Sequence, residues 1–422
     1  MKALLFGDPP PAEDRQPAAA LGPQPRDEVD QLIDQIPFGV VDVPDARPLR
    51  DDWVVARPIL SGICGSDTKL VLGDFGDGDI DNPMAAFASL PHVPGHEVVA
   101  EVVEVGPAAT GVEVGQRVVL NPWLTCVPRG IDPPCPACAA GDLPLCWNFD
   151  QGFLRPGVHI GVVADVTGAW AELLAAHCSQ WFPVPDAVSD AAAVLADPFA
   201  VSLRPVLRCP PPPGGRVVVY GAGALGLTTV AVLRALHPDV RIAVVARFPA
   251  QAALAERFGA DLVLAHEPRG DLVVALADWS GGRLHPALAG LPMTRPGHVD
   301  VVYDTVATAD TLEVGARVLA ERGTLCYTGV ATPGRWEWTP VYFKDLTVTG
   351  SNAFGIEDVD GVRQHAIAHY LDLAADGRVD IADMVTHRFA LDDWRPALRA
   401  LARPGDSGAV KVTFSPNGAP NG

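Results

Sequence analysis

Four cysteines lie close together in a segment rich in proline and glycine. They are Cys126, Cys135, Cys138 and Cys146, and the last three follow a Cys-x2-Cys-x7-Cys spacing. Four thiolates form a closed tetrahedral site of the kind that holds a structural Zn²⁺ ion. Because the segment has few apolar residues of its own, a bound metal ion would supply its order. The alternative is a set of unrelated free thiols.

A second group of possible metal ligands is spread along the chain. Cys64 lies in a Gly-Ile-Cys-Gly-Ser-Asp segment, His96 and Glu97 follow a glycine, and Asp197 precedes a proline. One thiolate, one imidazole and one or two carboxylates, with one position left open, are what a catalytic zinc ion requires. Each of these residues, taken alone, is more often part of a protein core.

A glycine-rich turn follows the β-prone run 217–220 and precedes a helical pattern of apolar residues. The glycines are Gly221, Gly223 and Gly226, and this strand–turn–helix context predicts a dinucleotide site. Gly221 permits the tight turn, Gly223 leaves room for a pyrophosphate, and Gly226 lets the helix pack on the strand. We expect Leu225 in the same turn to belong to the cofactor site, with the helix N-terminus facing the phosphates. The alternative is a glycine turn in another α/β unit.

The end of the next predicted strand indicates which dinucleotide is bound. An acidic residue about 20 residues past the fingerprint normally binds the adenosine ribose, but this strand ends in Ala246 and Arg247. A small residue leaves space for a 2′-phosphate, and Arg247 can pair with it. The sequence therefore predicts that NADP(H) is favoured over NAD(H). The alternative is a surface arginine, with the ribose bound by backbone groups.

Length and charge limit the classes of function. The chain has 422 residues, enough for two or three domains, and a formal net charge of −20. This charge argues against binding to nucleic acid or to anionic membrane surfaces, and no apolar run reaches the roughly 18 residues of a membrane span. The apolar start, 1–7, is too short for a signal peptide and is predicted as a strand. With eight cysteines and no secretion signal, we expect a cytoplasmic protein.

The metal-ligand candidates fall in a β-rich region that extends to about residue 200. Strands are predicted there at 39–43, 53–59, 98–105 and 116–120. Between 201 and 350 strands alternate with helices, as a doubly wound parallel sheet requires. Its predicted strands are 217–220, 242–245, 262–264, 299–303 and 323–328, and its predicted helices are 250–258 and 311–320.

Other segments are predicted from local patterns. The spacing of Val29, Leu32, Ile33 and Ile36 is typical of a short amphipathic helix. The segment 266–298 is long for one crossover and is predicted to carry an insertion. Beyond residue 351 we expect a helix over 362–374, an edge strand over 409–414 and a disordered tail from residue 415.

The motifs described above occur in an order that resembles the zinc-dependent medium-chain alcohol dehydrogenases, especially their polyol- and threonine-dehydrogenase-like branch. The resemblance covers nearly the whole length and includes both cysteine motifs, Gly-His-Glu at 95–97, Asp-Pro at 197–198 and the glycine fingerprint. It implies an α/β fold, with a GroES-like β-rich catalytic domain and a Rossmann doubly wound parallel-sheet cofactor domain. The implied domains are residues 1–200, completed by 351–422, and residues 201–350.

The resemblance also implies roles for individual residues. It implies two zinc ions per chain, one structural ion on the four-cysteine cluster and one catalytic ion. The implied ligands of the catalytic ion are Cys64, His96, Glu97 and Asp197, with the two carboxylates alternating. Asp67 would orient His96, and Ser66 would take the alcohol proton.

The chain departs from the family pattern in several places. Eight residues separate Cys126 from Cys135 where the family has two, so the identity of the fourth structural ligand stays open. Ala100 replaces a usual glycine, and residues 8–35 form an insert. Lys69 stands where the family has a proton-relay histidine. It could be a relay base with a lowered pKa, a solvated lysine, or a charged group that holds a cofactor phosphate or an acidic substrate; we favour the last.

The implied activity is the interconversion of an alcohol and its aldehyde or ketone by hydride transfer to or from NAD(P). A small-molecule substrate and a homodimer or homotetramer are expected, with the aromatic stretch 336–348 as a candidate interface strand. Trp123 and Phe75 are candidates for the substrate pocket or for ordinary core. One alternative is a non-catalytic zinc- and nucleotide-binding redox sensor. Another is a zinc-free quinone or enoyl reductase, which should lack Cys64 and His96.

Overall fold

The computed structural model describes residues 1–7, 31, 33, 36–73, 86–331 and 334–418. The chain divides into two compact units. Unit 1 comprises Met1–Asp197, Phe354–Ile356 and Arg363–Gly422, and unit 2 comprises Pro198–Ala353 and Glu357–Val362. Both metal-ligand groups fall in unit 1 and the glycine fingerprint falls in unit 2. Most of the predicted amphipathic helix near residue 30 lies outside the described residues.

The strands, in chain order, are β1 (Lys2–Phe6), β2 (Phe38–Asp42), β3 (Trp53–Gly62), β4 (Glu97–Val105), β5 (Arg117–Leu120), β6 (Leu174–His177), β7 (Trp181–Pro183), β8 (Arg216–Tyr220), β9 (Arg241–Ala246), β10 (Leu262–Ala265), β11 (Leu284–His285), β12 (Met293–Thr294), β13 (Val299–Asp304), β14 (Leu319–Tyr327), β15 (Thr347–Gly350), β16 (Ile356–Val359), β17 (Val362–His365), β18 (Val385–Phe389) and β19 (Lys411–Phe414). The α-helices are α1 (Gly65–Leu72), α2 (Pro136–Ala140), α3 (Asp190–Ala193), α4 (Ala196–Arg208), α5 (Ala224–Leu236), α6 (Pro249–Arg257), α7 (Arg269–Ser280), α8 (Ala309–Val318), α9 (Thr339–Phe343), α10 (Ala366–Ala375), α11 (Trp394–Ala402) and α12 (Pro404–Ser407). Short 3-10 helices occupy Leu143–Leu145, Cys178–Gln180, Ala382–Met384 and Leu391–Asp393.

Unit 1 is built on a seven-stranded sheet with the order β18-β19-β3-β4-β5-β7, to which β6 adds by pairing with β3. The pairs of β3 with β4, β6 and β19 are antiparallel. The long strands β3 and β4 are rich in valine. Their buried side chains, which include Trp53 of β3, pack in one core with Trp181 of β7. This sheet is the frame for Cys64, which follows β3, and for Glu97, which begins β4.

Unit 2 contains a six-stranded sheet with the order β10-β9-β8-β13-β14-β15, and its pairs are parallel. The central strands β8, β9 and β13 are buried along nearly all of their length, because a parallel sheet is covered by helices on both faces. The predicted doubly wound parallel sheet is confirmed. The segment 266–298 carries α7 and the small antiparallel hairpin β11–β12, in agreement with the predicted insertion.

After residue 350, the predicted helix is present as α10 but starts four residues later than predicted, and the predictions of an edge strand and of a tail disordered from residue 415 are wrong. The segment 362–374 begins as β17, because Asp360 and Gly361 have φ of 53° and 81° and form a two-residue hairpin turn between β16 and β17. The predicted edge strand, β19, lies inside the sheet between β18 and β3. The tail is ordered at its start, where Ser415 is 2% exposed and the side chain of Asn417 donates to the carbonyl of Pro58. Residues 419–422 lie outside the described residues.

Two elements of unit 2 also differ from the prediction. The helix predicted over 311–320 begins at Ala309, since the side chain of Thr308 accepts the N–H of Thr311, and it ends at Val318, after which β14 starts. The aromatic stretch 336–348 is not one strand: it contains α9 and only the start of β15. Within the described ranges, no helix has both the length and the apolar character needed to cross a membrane.

Candidate active site and cysteine lobe

Cys64 is held at the junction between β3 and α1. The carboxylate of Asp67 on the first turn of α1 accepts the backbone N–H of Cys64 at 3.1 Å. The other carboxylate oxygen of Asp67 lies 3.3 Å from Nδ1 of His96. Burial alone would raise the pKa of Asp67, but the neighbouring His96 and the Cys64 N–H lower it below its usual value. Asp67 therefore fixes the positions of Cys64 and His96 relative to each other.

His96 and Glu97 are placed by a glycine and a tryptophan. Gly95 has φ of 95°, and a Cβ atom there would lie 2.3 Å from Cδ1 of Trp170, so only glycine fits the close approach. The sulfur of Cys64, a ring nitrogen of His96 and a carboxylate oxygen of Glu97 all lie within 4.8 Å of one another. His96 and Glu97 are buried. This sulfur–nitrogen–oxygen set is chemically suited to a zinc ion.

Asp197 is buried near this group, but its carboxylate is not among the three ligand atoms that the described residues bring within 4.8 Å. Burial raises the pKa of Asp197 to about 7; the charge of His96 opposes this rise and that of Glu97 adds to it. Glu97 belongs to the group of ligand atoms with Cys64 and His96, and the predicted role of Asp197 as a further zinc ligand stays a prediction.

Lys411 is a member of this site that the sequence did not reveal. Its ammonium group is in ion-pair contact with Oε2 of Glu97, and both side chains are 2% exposed. Burial alone would lower the pKa of Lys411, but the negative charges of Glu97, Cys64 and Asp197 raise it above its usual value. Nothing in the local sequence around Lys411 distinguishes it, since the contact depends on the pairing of β19 with β3.

His159 is the second residue that sequence reasoning missed. Its ring centroid lies 4.7 Å from that of His96 and 5.8 Å from that of Trp123, and Nδ1 lies 2.7 Å from the carbonyl oxygen of Ile160. Burial, together with the charge of His96, lowers the pKa of His159 to about 3. The ring of His159 contacts both Trp123 and His96, and Trp123 is buried, so its place in a substrate pocket stays a prediction. Phe75 lies outside the described residues.

Ser66 and Lys69 are both on α1, directly after Cys64 in the chain. Both side chains are half-buried. Their sequence positions place them on the helix that Asp67 anchors beside His96.

The four cysteines of the lobe meet in space. Their sulfur atoms all lie within 4.8 Å of one another, with Cys126 and Cys146 at 3.7 Å. Backbone N–H groups point at this cluster: that of Trp147 donates to Cys135, and that of Asn148 donates to Cys146. The pKa of Cys135, which burial would raise, is lowered to about 6, chiefly by the N–H groups of Trp147 and Cys138. These N–H···S bonds stabilise the Cys135 thiolate, the form that binds metal, whereas burial raises the pKa of Cys146 to about 11.

Arg129 explains how the insert between Cys126 and Cys135 leaves the sulfur cluster intact. Its side chain is fully buried, and its guanidinium donates to five backbone carbonyls of the lobe. The acceptors are the carbonyls of Leu124, Gln151, Leu154, Arg155 and Gly157. Arg129, a residue of the insert, thus holds the loops of the lobe together from inside. The side chain of Asn148, outside the insert, donates to the sulfur of Cys126 at 3.2 Å.

The glycine fingerprint has the expected geometry in unit 2. Gly221 has φ of 95°, and a Cβ atom on Gly226 would lie 1.9 Å from the carbonyl oxygen of Gly221. Around Gly223, the residue before α5, no atom lies within 4 Å of such a Cβ among the described residues. Leu225 is half-buried in the first turn of α5. At Gly221 and Gly226 only glycine allows the close packing of this turn, and the space around Gly223 is where a pyrophosphate could approach the backbone.

The second strand of this sheet, β9, ends with a buried Ala246. Arg247 follows and is exposed, with its guanidinium carbon 5.3 Å from the centroid of the Phe248 ring. A small side chain followed by an exposed arginine is compatible with a phosphate on the ribose.

Comparison with known proteins identifies the family. The alcohol dehydrogenase GroES-like domain matches residues 50–186, and the zinc-binding dehydrogenase domain matches residues 224–368. The chain belongs to the zinc-dependent medium-chain dehydrogenases. The (R,R)-butanediol dehydrogenase of Saccharomyces cerevisiae is 27% identical over 393 residues, which cover 89% of this chain and 94% of that protein. The L-threonine 3-dehydrogenase of Rhizobium johnstonii is also 27% identical, with 89% and 94% covered.

Solved structures agree with this medium-chain dehydrogenase fold. A zinc-binding dehydrogenase from Sinorhizobium meliloti, determined with NADP bound, has a TM-score of 0.68 at 25% identity, covering 91% of this chain and 97% of that one. Galactitol-1-phosphate dehydrogenase from Escherichia coli shares the fold, with a TM-score of 0.70 at 18% identity and coverage of 99% and 100%.

The medium-chain dehydrogenase is an oxidoreductase that acts on alcohols, as predicted. The findings support zinc and a nucleotide as its cofactors and a small molecule as its substrate. The alternative of a non-catalytic redox sensor is not favoured. A zinc-free reductase would have no need of Cys64 beside His96, and this chain brings the two together.

Proposed function

We propose that this dehydrogenase oxidises a small alcohol to its aldehyde or ketone, or reduces the carbonyl compound, at a zinc site formed by Cys64, His96 and Glu97. The observation that supports this proposal is the meeting of a thiol, an imidazole and a carboxylate within 4.8 Å. Asp197, buried nearby, would be the alternate carboxylate ligand. A zinc ion held there supplies a Lewis acid for the substrate oxygen.

The residues around the ligands would then position and move a proton. Asp67, 3.3 Å from His96, would hold the imidazole in one ring orientation, as carboxylates beside metal-bound histidines do. Ser66, which precedes Asp67 on α1, would take up the proton of the alcohol. The nicotinamide ring of the cofactor supplies the hydride acceptor or donor.

We propose that the lobe cysteines Cys126, Cys135, Cys138 and Cys146 hold a second, structural zinc ion. Four sulfurs within 4.8 Å and the N–H groups directed at them support this role. A site with four thiolate ligands has no open position for a substrate, so this ion would serve stability.

We infer that NADP(H) is the favoured cofactor, bound at Gly221, Gly223, Leu225 and Gly226. The exposed Arg247 after Ala246 supports this preference. The likeness to the NADP-bound structure from Sinorhizobium meliloti is consistent with it. An arginine–phosphate contact is a charge-assisted hydrogen bond worth about 1.5–3 kcal/mol.

Replacement of Arg247 tests the cofactor preference. Arg247→Ala should weaken NADPH binding about tenfold or more and leave NADH binding unchanged, because only the 2′-phosphate is affected. The measurement is titration of each cofactor by fluorescence or calorimetry. Arg241→Ala, at the opposite end of β9, is the matched control. Tighter binding of NADH than NADPH that survives Arg247→Ala would contradict the inference.

We propose a cytoplasmic homodimer or homotetramer. The strand β15 is at the edge of the unit 2 sheet, a position at which a strand of a second chain can pair. The neighbouring aromatic side chains of Trp338 and Tyr342 are 64% and 78% exposed, which is typical of an interface core when such residues cluster.

The activity itself is tested with a panel of alcohols, polyols, hydroxy acids and aldehydes, each assayed with both nicotinamide cofactors. The relatives named above are butanediol and threonine dehydrogenases, so secondary alcohols with a polar neighbour form the first set. We expect alcohol-dependent cofactor reduction by at least one of them. A purified, zinc-loaded protein that binds cofactor but turns over none of the panel would contradict the proposal.

A further inference from the structure

A buried lysine touches a carboxylate of the candidate zinc site. Lys411, on β19, places Nζ against Oε2 of Glu97 and donates a hydrogen bond to the carbonyl oxygen of Ile63 at 3.1 Å. Both charged side chains are 2% exposed. A buried charge without a partner is costly, so each member of this pair depends on the other.

The backbone of three strands fixes the contact. In the sheet, Gly62 of β3 pairs with Glu97 of β4 on one side and with Thr413 of β19 on the other. A Cβ atom on Gly62 would overlap Oε2 of Glu97 and would lie 2.9 Å from Cε of Lys411. The missing side chain at Gly62 therefore makes the space in which the lysine reaches the carboxylate.

The contact with Lys411 limits how well the carboxylate oxygens of Glu97 can act as ligands of a metal ion. Oε2 of Glu97 is in contact with the ammonium group, and a carboxylate oxygen of the same side chain lies within 4.8 Å of the Cys64 sulfur and a His96 ring nitrogen. An oxygen held by the ammonium group is less available to a metal ion. The positive charge also offsets part of the negative charge that Glu97, Asp67 and Asp197 bring to this buried region. Both effects weaken the hold of the carboxylate on a divalent cation.

We propose that Lys411 is a positioning residue that holds Glu97 by one oxygen, so that the carboxylate is a weak, one-oxygen ligand of the zinc ion. The inference rests on the proposed zinc site. It concerns how tightly that site retains its metal, and not whether the enzyme turns over.

The test compares zinc release to a coloured chelator from the wild type, Lys411→Gln and Lys411→Arg. The zinc of this site is identified as the fraction missing from Cys64→Ser. Lys411→Gln removes the charge but keeps an N–H group for the carbonyl of Ile63, and it should release this zinc about tenfold more slowly, since the ammonium no longer competes for Glu97. Lys411→Arg should restore the wild-type rate. Lys344→Met, which removes an equally buried lysine that donates to backbone carbonyls, is the control and should leave the rate unchanged.

Release from Lys411→Gln at the wild-type rate or faster would overturn the inference, as would equal slowing in Lys344→Met. A crystal structure of the zinc-loaded wild type gives the same test without a variant: we expect Oε2 of Glu97 on Lys411 and the other oxygen toward the metal. A carboxylate with both oxygens on zinc would also overturn it. If Cys64→Ser loses no zinc, the proposed function itself fails, and that result differs from an unchanged release rate.

Discussion

At the scale of single residues, Lys69 on α1 bears on how the site handles charge. We favour a charged lysine that holds a cofactor phosphate or an acidic substrate, because a lysine is normally protonated at pH 7 and this role needs no change in its pKa. Lys69→Met should then raise KM for cofactor or substrate, with kcat nearly unchanged. Steady-state kinetics over a range of pH measures both constants. A normal KM with a collapsed kcat and a reshaped pH profile would instead indicate a proton-relay base.

The residues that the sequence predicted and those it missed differ in a physical way. Cys64, His96 and the lobe cysteines carry chemistry that is rare enough to be noticed from residue type and spacing. Lys411 and His159 enter the site through strand pairing and loop packing that bring together positions far apart in the chain. The role of Arg129 cannot be predicted from sequence, because its partners are backbone carbonyls, which have no signature there.

At the scale of elements, the start of α10 couples stability to pH. His365 is the residue before this helix, and its Nδ1 accepts the N–H of Ile367 at 3.2 Å while its ring stacks on Phe182. Burial lowers the pKa of His365 to about 3, with a further contribution from His369. Between about pH 6.5 and pH 3, His365 is therefore protonated in the unfolded chain but neutral in the folded chain. The contribution of neutral His365 to stability is full above about pH 6.5 and is lost as the pH falls toward 3.

The variant His365→Asn isolates this contribution, since asparagine can also cap a helix. Between pH 7 and pH 5 the wild type should lose about 2 kcal/mol more of its free energy of unfolding than the variant does. Denaturant unfolding at both pH values measures the difference, with His266→Asn, an exposed histidine, as the control. The same pH dependence in His365→Asn and wild type would contradict the assignment.

The cysteine lobe is expected to depend on its metal. Cys138→Ser should lower the free energy of unfolding by about 3 kcal/mol or more, because the lobe has little apolar core and its order comes from zinc binding. Cys178→Ser, a half-buried cysteine outside both ligand groups, should have a much smaller effect. Thermal unfolding of the two variants beside the wild type is the measurement. Equal melting temperatures for the wild type and both variants would contradict the proposal that the zinc bound by the lobe cysteines stabilises the fold.

Strands and helices could be predicted from the sequence where a single local pattern of residue types determines the element. Buried valine runs identified β8, β9 and β13, and their parallel order followed from alternation with helices. The Asp360–Gly361 pair is a hairpin-turn signal, but it lies beside a run of residues whose spacing also suits a helix. The interior place of β19 could not be read, since it depends on pairing with a strand some 350 residues away.

At the scale of the whole molecule, the proposed oligomer predicts the mass in solution. Light scattering at working concentration should give two or four chains, because the edge strand β15 and the exposed Trp338 and Tyr342 favour pairing. Tyr342→Glu should shift the mass toward one chain by placing a charge in that surface. A single-chain mass for the wild type would rule out the proposal.

The central claim is that the group of Cys64, His96 and Glu97 holds the zinc ion on which alcohol oxidation depends. Its most direct test is the zinc content and activity of Cys64→Ser, measured on the same folded preparation. We predict that zinc falls from two ions to one per chain, that the melting temperature stays close to that of the wild type, and that alcohol-dependent cofactor reduction falls more than about a thousandfold. A folded Cys64→Ser protein that keeps both zinc ions, or that keeps its activity, would contradict the claim.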